Sequence, residues 1–202
     1  MSAPYPVPID SLQRSLDVKK SRFIAYAYPV QSRDQAMQTL HNLKQQYNDA
    51  RHLCWAYVLG NPAGSCNGAM NDDGEPSGTA GKPIMNVIQH KGIGNVMVIV
   101  VRYFGGIKLG AGGLTRAYSA AAEAVLSELP VMAFKPQQQL SALMDFSQEH
   151  GLRHQLSLCE AQCLSANYGQ QVELQIEIAE EQLPTLSAYC QAHHIKLKQT
   201  FS

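Results

Sequence analysis

The first half of the chain combines apolar runs with amphipathic segments. Three apolar and aromatic runs predict strands: 21–30, 52–59 and 95–104. The third is almost continuously apolar, which is typical of a central strand covered on both faces. Apolar residues at helical spacing predict a helix over 33–48 after the N-cap Ser32, another from about Pro83, and a third over 114–129. Residues 1–17 lack periodicity and predict an irregular arm.

In the second half, short strands and helices follow one another closely. The predicted elements are strand 138–144, helix 147–156, strand 160–166, strand 171–178, helix 181–193 and strand 195–201. Along 171–178 apolar and polar residues alternate, so one face of this sheet is expected to contact solvent. The order β-α-β-β-α-β is that of the ferredoxin-like fold. We therefore predict an α+β protein of two domains, residues 1–130 and 131–202.

Charge is balanced over the whole chain but not between its halves. Of 202 residues, 16 are lysine or arginine and 16 are aspartate or glutamate. Residues 1–130 carry 12 basic and 9 acidic side chains, a net charge of +3, and residues 131–202 carry 4 and 7, a net charge of −3. This balance disfavours nucleic-acid binding by bulk charge, but it allows a local basic patch.

The sequence pattern predicts a cytoplasmic protein that has no membrane partner. The longest aliphatic run, 96–101, is far shorter than the roughly 20 apolar residues of a membrane span. The first ten residues contain neither the basic nor the apolar stretch of a signal peptide. The five cysteines are an odd number without a secreted framework pattern, so we expect reduced thiols.

An acidic segment lies within residues 60–81, a stretch rich in glycine that predicts a long loop. Asp72, Asp73 and Glu75 place three carboxylates within four residues, and such a cluster needs counter-charges, a metal ion or solvent. Oxygen ligands of this kind suit Mg²⁺ or Ca²⁺, although the spacing is not that of an EF-hand. The alternative is an ordered loop whose acids cap backbone N–H groups or pair with arginines.

A glycine-rich loop, residues 105–113, joins the third predicted strand to the helix over 114–129. Free N–H groups and the helix dipole make such a junction receptive to anions, and Arg102, Lys108 and Arg116 would add positive charge. The loop is neither a P-loop nor a dinucleotide fingerprint, because the residues that those motifs require are absent. The alternative is a tight turn, with one of the two arginines bridging to the acidic segment.

Two arrangements of histidine and cysteine are further candidates. His52 and Cys54 share one face of a strand and could form a nucleophilic pair, although a buried inert thiol is the commoner case. A zinc site would combine two histidines at helical spacing with two cysteines: His150, His154, Cys159 and Cys163. Two core thiols on one strand face are the alternative explanation of the cysteines.

Four segments carry a distinctive pattern: KKSRFIA (19–25), HLCWAY (52–57), DDGEPSGTAGKP (72–83) and NVMVIVVRYFGGIKLGAGGLTRAYSAAAEAVL (95–126). In these segments the chain resembles the IMPACT family, in particular its bacterial members, and the resemblance spans roughly residues 17–128. It implies a first domain similar to domain 2 of ribosomal protein S5. It also implies a ferredoxin-like second domain similar to domain V of elongation factor G. Eukaryotic relatives are similar to translational regulators, and no catalytic residue is transferred.

The leading hypothesis is a non-enzymatic factor, without a cofactor, that associates with RNA or the ribosome and modulates translation. It would bind the phosphate backbone at the two loops through Asp72, Asp73, Glu75, Ser77, Thr79, Arg102, Gly105, Gly106, Lys108, Gly110, Gly112, Gly113, Thr115 and Arg116. One alternative is a metal-dependent enzyme acting on a phosphorylated small molecule, with Mg²⁺ in the acidic segment. Another is an adaptor that binds a protein partner through the exposed sheet of the second domain.

Overall fold

The computed structural model describes residues 4–64 and 66–199, which form two compact units. The first unit is Tyr5–Phe134, and the second contains the residues from Lys135 onward together with Pro4. The described residues of the first unit form seven strands and three helices: β1 (Tyr5–Pro8), β2 (Leu12–Val18), β3 (Ser21–Pro29), α1 (Arg33–Gln46), β4 (His52–Leu59), β5 (Asn67–Asn71), α2 (Gly81–Lys91), β6 (Val96–Tyr103), α3 (Gly110–Ser127) and β7 (Val131–Phe134).

The main sheet of the first unit is antiparallel, with the strand order β2-β3-β6-β4-β5. Strand β6 is central, and its alternate residues enter two different cores. Val96, Val98 and Val100 pack against α2 and α3 on one face, whereas the residues between them pack on the other face with α1. This two-sided burial explains the continuous apolar sequence of β6 and confirms the prediction of a central strand.

Helix α1 begins at the predicted N-cap. The Ser32 side chain accepts a hydrogen bond from the backbone N–H of Gln35 at 3.1 Å. The Gln35 side chain in turn accepts from the backbone N–H of Gln31 at 2.7 Å, one residue earlier than in a standard capping box. Two N–H groups at the start of α1 are thereby satisfied.

Residues 5–8 and 12–18 form strands rather than the irregular arm expected for residues 1–17. Strand β1 pairs with β7 in a separate two-stranded ribbon, and β2 pairs with β3 along its whole length. The prediction was wrong because β1 contains two prolines, which an edge strand tolerates, and because β2 is only half-buried at the edge of the sheet. Residues 1–3 of the expected arm lie outside the described residues.

Strand β5 lies within residues 60–81, which the sequence predicts to be a long loop. Its five residues pair antiparallel with β4 at the edge of the sheet. The sequence NGAMN contains no β-branched residue and is mostly exposed, so neither composition nor alternation indicates a strand. Gly68 suits this position because a β-carbon there would lie 2.8 Å from the Tyr57 carbonyl oxygen.

The second unit has the predicted element order β-α-β-β-α-β. Its elements are β8 (Gln137–Met144), α4 (Phe146–Leu158), β9 (Gln162–Tyr168), β10 (Val172–Ala179), a 3₁₀ turn (Glu180–Gln182), α5 (Leu183–Ala192) and β11 (Lys196–Gln199). The sheet is antiparallel, with the order β11-β8-β10-β9. Strand β10 alternates buried and half-buried residues as predicted, and its buried side chains form a separate core with α4 and α5. Residues 200 and 201 of the last predicted strand lie outside the described residues.

The two cysteines of the candidate zinc site lie in different environments. Cys159 is buried where α4 ends, whereas Cys163 is exposed on β9. The expectation that both occupy one strand face is wrong, because β9 begins only at Gln162. Within residues 4–64 and 66–199, no group of three or more histidine, cysteine, aspartate or glutamate side chains could hold a metal ion. Nor is any helix in these ranges both long and apolar enough to cross a membrane.

Candidate functional site

Asp72 caps the start of α2. Its carboxylate accepts hydrogen bonds from the backbone N–H groups of Gly78, Ala80 and Gly81, at 2.7, 3.0 and 2.8 Å. It thereby satisfies donors that a helix start leaves without partners in the helix. Burial raises the pKa of Asp72, but the three hydrogen bonds outweigh burial and hold the pKa below its ordinary value of 3.8.

Asp73 links the acidic segment to α1 and β4. Its Oδ1 accepts a hydrogen bond from Lys44 Nζ at 3.0 Å, and its Oδ2 accepts one from the backbone N–H of Leu53 at 2.7 Å. Its backbone lies in the left-handed region, with a φ of 43°, and its carbonyl oxygen lies 2.8 Å from His52 Nδ1. Two of the three clustered carboxylates therefore hold the loop in place, as in the alternative of an ordered, self-capping loop.

Glu75 and Arg102 form a buried ion pair. Glu75 Oε1 lies 2.6 Å from Arg102 Nη1, and the two side chains are only 4% and 7% exposed. Tyr118 of α3 donates a hydrogen bond to the same Oε1 at 2.8 Å. The guanidinium carbon lies 5.5 Å from the ring centre of Phe23 and 5.7 Å from that of Phe104. Among the described residues, Arg102 Nε is the one buried side-chain nitrogen or oxygen atom that lacks a hydrogen-bond partner.

Cys54 is buried beside this pair. Its Sγ lies 2.9 Å from the Asp72 carbonyl oxygen and 3.3 Å from Tyr118 Oη, so the single thiol proton is donated to one of them at a time. The pKa of Cys54 is raised to about 12, mainly by burial; the hydrogen bond with Tyr118 opposes this rise, and three neighbouring carboxylates add to it. His52 Nδ1 meets a backbone carbonyl of the acidic segment. Cys54 is therefore an inert, protonated thiol near neutral pH, and the geometry does not support a His52–Cys54 nucleophile.

Gly105 anchors the glycine-rich loop to the turn between β2 and β3. A β-carbon built on Gly105 would overlap the backbone carbonyl of Lys20. The Gly105 N–H also donates a hydrogen bond to Ser21 Oγ at 3.2 Å. Gly106 follows with a φ of 85°, which favours glycine. The loop is therefore fixed to the sheet at the point where it leaves β6.

Helix α3 begins at Gly110, four residues before the predicted start at Leu114. Gly112 and Gly113 thus lie in the helix, where the sequence predicts a loop. The N-cap residue, Leu109, has no side chain that could accept a hydrogen bond from the first turn. The N–H groups of this turn and the positive end of the helix dipole make the start of α3 a favourable position for an anion.

A cavity of about 390 Å³ lies between the acidic segment and the start of α3. Three lining side chains carry positive charge, Arg51, Arg102 and Lys108, and the His52 imidazole lines the same cavity. Glu75, the one carboxylate among the described lining residues, is neutralised by Arg102. In the described part of the chain no carboxylate forms an ion pair with Arg51 or Lys108. The cavity can therefore attract an anion.

Comparison with known proteins identifies the chain. Residues 19–126 match the Impact N-terminal domain, which covers more than half of the sequence. An IMPACT family member of Haemophilus influenzae is 37% identical over 190 residues, covering 92% of this chain and 90% of that protein. The chain belongs to the IMPACT family. The family member YigZ of Escherichia coli is 33% identical over 172 residues, covering 85% of this chain and 84% of YigZ.

A solved structure also resembles this IMPACT family member along its whole length. It is described as the crystal structure of a hypothetical protein, with a TM-score of 0.74 and 28% sequence identity. The alignment covers 100% of both chains. The two-unit α and β architecture is therefore shared by an experimentally determined structure.

In this IMPACT family member the two predicted loops meet, but only some of the predicted residues line the cavity. Glu75, Arg102, Lys108 and Gly110 do so. The remaining predicted residues do not line it: Asp72, Asp73, Ser77, Thr79, Gly105, Gly106, Gly112, Gly113, Thr115 and Arg116. Asp72 and Asp73 hold the loop, and Thr79 Oγ1 donates to the Pro76 carbonyl at 2.6 Å. The bridge between an arginine and the acidic segment is confirmed, with Arg102 and Glu75 as its members.

Sequence reasoning missed several lining residues of this family member. Arg51, Phe104 and Ala111 were not candidates, and His52 was considered only as a nucleophile's partner. One signal was available for His52, because β4 and β6 pair so that His52 lies opposite Arg102. Both strands were predicted, but neither their pairing nor its register was, and it is the register that brings these two side chains together.

Proposed function

We propose that this protein is a non-enzymatic factor that associates with RNA or the ribosome and binds backbone phosphate groups at the start of α3. One observation carries the proposal. The buried Arg102, whose Nε lacks a hydrogen-bond partner among the described residues, lines the cavity onto which the uncapped start of α3 opens. An anion there would be held by a helix end and by cationic side chains together.

The charge of the lining side chains supports a phosphate as the ligand. Arg102 is already matched by Glu75, so it contributes hydrogen-bond donors rather than net charge. Arg51 and Lys108 are exposed and have no ion-pair partner in the described ranges, so their charge is available to a ligand. Phosphate groups accept hydrogen bonds from the guanidinium groups of arginine and from the ammonium group of lysine.

The domain assignments belong to the same proposal. We assign the first unit to the fold of ribosomal protein S5 domain 2, and the second to the ferredoxin-like fold of elongation factor G domain V. The element order of the second unit and its strand order β11-β8-β10-β9 support the second assignment. A cytoplasmic role in modulating translation agrees with the resemblance of the eukaryotic family members to translational regulators.

Filter binding of the full-length protein to a structured RNA at increasing KCl tests the proposal. We expect binding at low salt and an affinity that falls as KCl rises, because each phosphate contact releases counterions. Arg51→Gln and Lys108→Gln are each expected to weaken binding about fivefold near 0.1 M KCl, as the loss of one phosphate contact predicts.

A matched control is Arg33→Gln. Arg33 is an exposed arginine without an ion-pair partner in the described ranges, at the start of α1, which covers the opposite face of the sheet from α3. Its substitution removes the same charge and should leave binding almost unchanged. Absence of RNA binding at low salt, or an equal loss of affinity in Arg33→Gln, would contradict the proposal.

The size of the cavity favours a second candidate, binding of a small phosphorylated molecule. A volume of about 390 Å³ lies within the usual range for small-molecule sites. Calorimetry with a panel of nucleotides, with and without Mg²⁺, separates the two functions. Binding heat from a mononucleotide, without binding of RNA, would favour the small molecule.

A further inference from the structure

A second cavity, of about 330 Å³, lies on another side of the start of α3. Its charged lining residues, among those the structure describes, are both cations, Lys19 and Arg116. No carboxylate in the described ranges forms an ion pair with either of them. This cavity therefore also offers uncompensated positive charge.

The two cavities are neighbours, because Leu109 lines both of them. The α3 residues of the second cavity are spaced three and four apart and form one stripe of the helix: Gly113, Arg116, Ala117 and Ala120. The α3 residues of the first cavity, Gly110, Ala111 and Leu114, form the adjacent stripe. The cavities thus flank the same helix start, with the apolar Leu109 side chain between them.

The turn that carries Lys19 is held in an unusual backbone conformation. Lys19 and Lys20 have φ values of 47° and 69° in the two-residue connection between β2 and β3. Such turns favour asparagine and glycine, and non-glycine residues in this region cluster at functional sites. The contact of Gly105 with the Lys20 carbonyl fixes the turn to the glycine-rich loop. Lys19 is therefore held in a defined place beside α3.

Arg116 is positioned by its own helix. Its Nε donates a hydrogen bond to the Gly112 carbonyl at 3.2 Å, one turn earlier in α3. The side chain therefore extends back towards the helix start, where both cavities lie. The remaining guanidinium donors can meet a ligand on that side.

We infer that one single-stranded segment of RNA occupies both cavities. One backbone phosphate lies at the start of α3 beside Arg51 and Lys108, and another lies between Lys19 and Arg116. The inference rests on the proposed function and makes it more specific, since the ligand is then a strand with successive phosphates rather than a mononucleotide. Leu109 separates the two phosphate positions.

Two probes of different length test the inference on the full-length protein. UMP carries one phosphate and is titrated by NMR, whereas an oligouridylate of about eight nucleotides is titrated by fluorescence anisotropy. We expect Lys19→Gln and Arg116→Gln each to weaken oligouridylate binding about fivefold near 0.1 M KCl and to reduce the salt exponent by about 0.7. UMP binding, which depends on the first cavity, should change less than twofold. Arg116→Lys should retain most of the affinity, and Arg33→Gln is the matched control.

The outcomes distinguish this inference from the proposed function. It is overturned if the oligouridylate binds no more tightly than UMP. It is also overturned if Arg51→Gln and Lys108→Gln weaken oligouridylate binding while Lys19→Gln and Arg116→Gln do not; the proposed function would then stand without it. Failure of the oligouridylate to bind at low salt, with the structured RNA still bound, overturns this inference alone; failure of the structured RNA as well overturns the proposed function.

Discussion

At the scale of single residues, the site depends on the buried contact between Glu75 and Arg102. A buried ion pair is weak evidence for stability, because removing two charges from water offsets much of their attraction. Removing only one of the two charges is nevertheless strongly destabilising, because the other charge is then left buried without a partner. Tyr118 Oη and the Phe23 and Phe104 rings also contact this pair, so a change at Glu75 alters several contacts at once.

We therefore expect Glu75→Gln to lower the free energy of unfolding by about 3 kcal/mol, the usual cost of breaking a buried pair from one side. Urea unfolding followed by the fluorescence of Trp55, the single tryptophan, measures this in the first unit. The control is Glu123→Gln, which removes the more exposed partner of Lys91 and should cost less than about 1 kcal/mol. Equal losses in the two variants would contradict the role given to the buried pair.

The cysteines should differ sharply in reactivity. Because burial raises the pKa of Cys54 to about 12, almost no thiolate is present at about pH 8, and the buried sulfur is also inaccessible. Alkylation of the native protein with iodoacetamide, followed by peptide mass spectrometry, should modify the exposed Cys163 and leave Cys54 unmodified until the protein is unfolded. Labelling of native Cys54 at a rate comparable to that of Cys163 would revive the nucleophile hypothesis.

The sequence predicted which residues carry the chemistry of the site more accurately than it predicted which residues pair with each other. The clustered carboxylates required counter-charges, and an arginine bridge was among the alternatives, but the choice of Arg102 over Arg116 depends on strand register and helix rotation. Arg102 leaves β6 towards the acidic segment, whereas Arg116 lies on the stripe of α3 that faces the second cavity. Neither direction can be obtained from composition or spacing.

At the scale of secondary-structure elements, the start of α2 depends on Asp72. Asp72→Ala removes an acceptor from three backbone N–H groups and should lower stability at pH 7 by about 1–2 kcal/mol. The folded-state pKa of Asp72 lies below 3.8, so its ionised carboxylate contributes stability above that value. The contribution is lost as the pH falls through the folded-state pKa.

The measurement is urea unfolding of wild type and Asp72→Ala across the acidic range. The difference between them should be constant at neutral pH and shrink as the pH falls below about 4. Asp17→Ala is the control, because this exposed carboxylate on β2 makes only a 3.9 Å contact with Arg22 and should change stability by less than about 0.5 kcal/mol. A difference that grows towards low pH would contradict the assigned cap.

Two glycines of the glycine-rich segment 105–113 should respond oppositely to alanine. Gly105→Ala forces a methyl group into the Lys20 carbonyl, and either the loop or the β2–β3 turn must move, so we expect a loss of more than about 2 kcal/mol. Gly112→Ala meets open space within α3 and should gain about 0.5–1 kcal/mol from helix propensity. Thermal unfolding of both variants measures this contrast, and equal destabilisation would contradict it.

The elements that sequence predicted well are those whose burial pattern is regular. Strand β6 is buried on both faces and α1 has a cap, so both could be read from the sequence. Strand β5 and the first turn of α3 could not be predicted, because their glycine and polar residues show no hydrophobic periodicity. Gly68 and Gly113 instead lie where a β-carbon would be close to neighbouring atoms. These are also the positions that border the acidic segment and the first cavity.

At the scale of the whole molecule, the two units have separate hydrophobic cores and opposite charge. The first 130 residues carry a net charge of +3, and the cavities at α3 lie within the first unit. The second core is formed by strands and helices of the second unit alone. The difference in charge therefore favours the first unit as the part of the chain that a nucleic acid would contact.

We expect damage to the second core to leave oligonucleotide binding intact. Leu174 is fully buried there, and Leu174→Ala should cost the second unit about 2–5 kcal/mol through lost burial and an internal cavity. The far-UV circular dichroism of urea unfolding should shift accordingly, while the Trp55 transition and the affinity for oligouridylate stay near wild type. The matched variant Ile84→Ala, in the core beneath α2 and α3, should lower the Trp55 midpoint instead. Loss of oligonucleotide binding in Leu174→Ala with an unchanged Trp55 transition would move the binding surface to the second unit, where the exposed sheet would then be the surface to test.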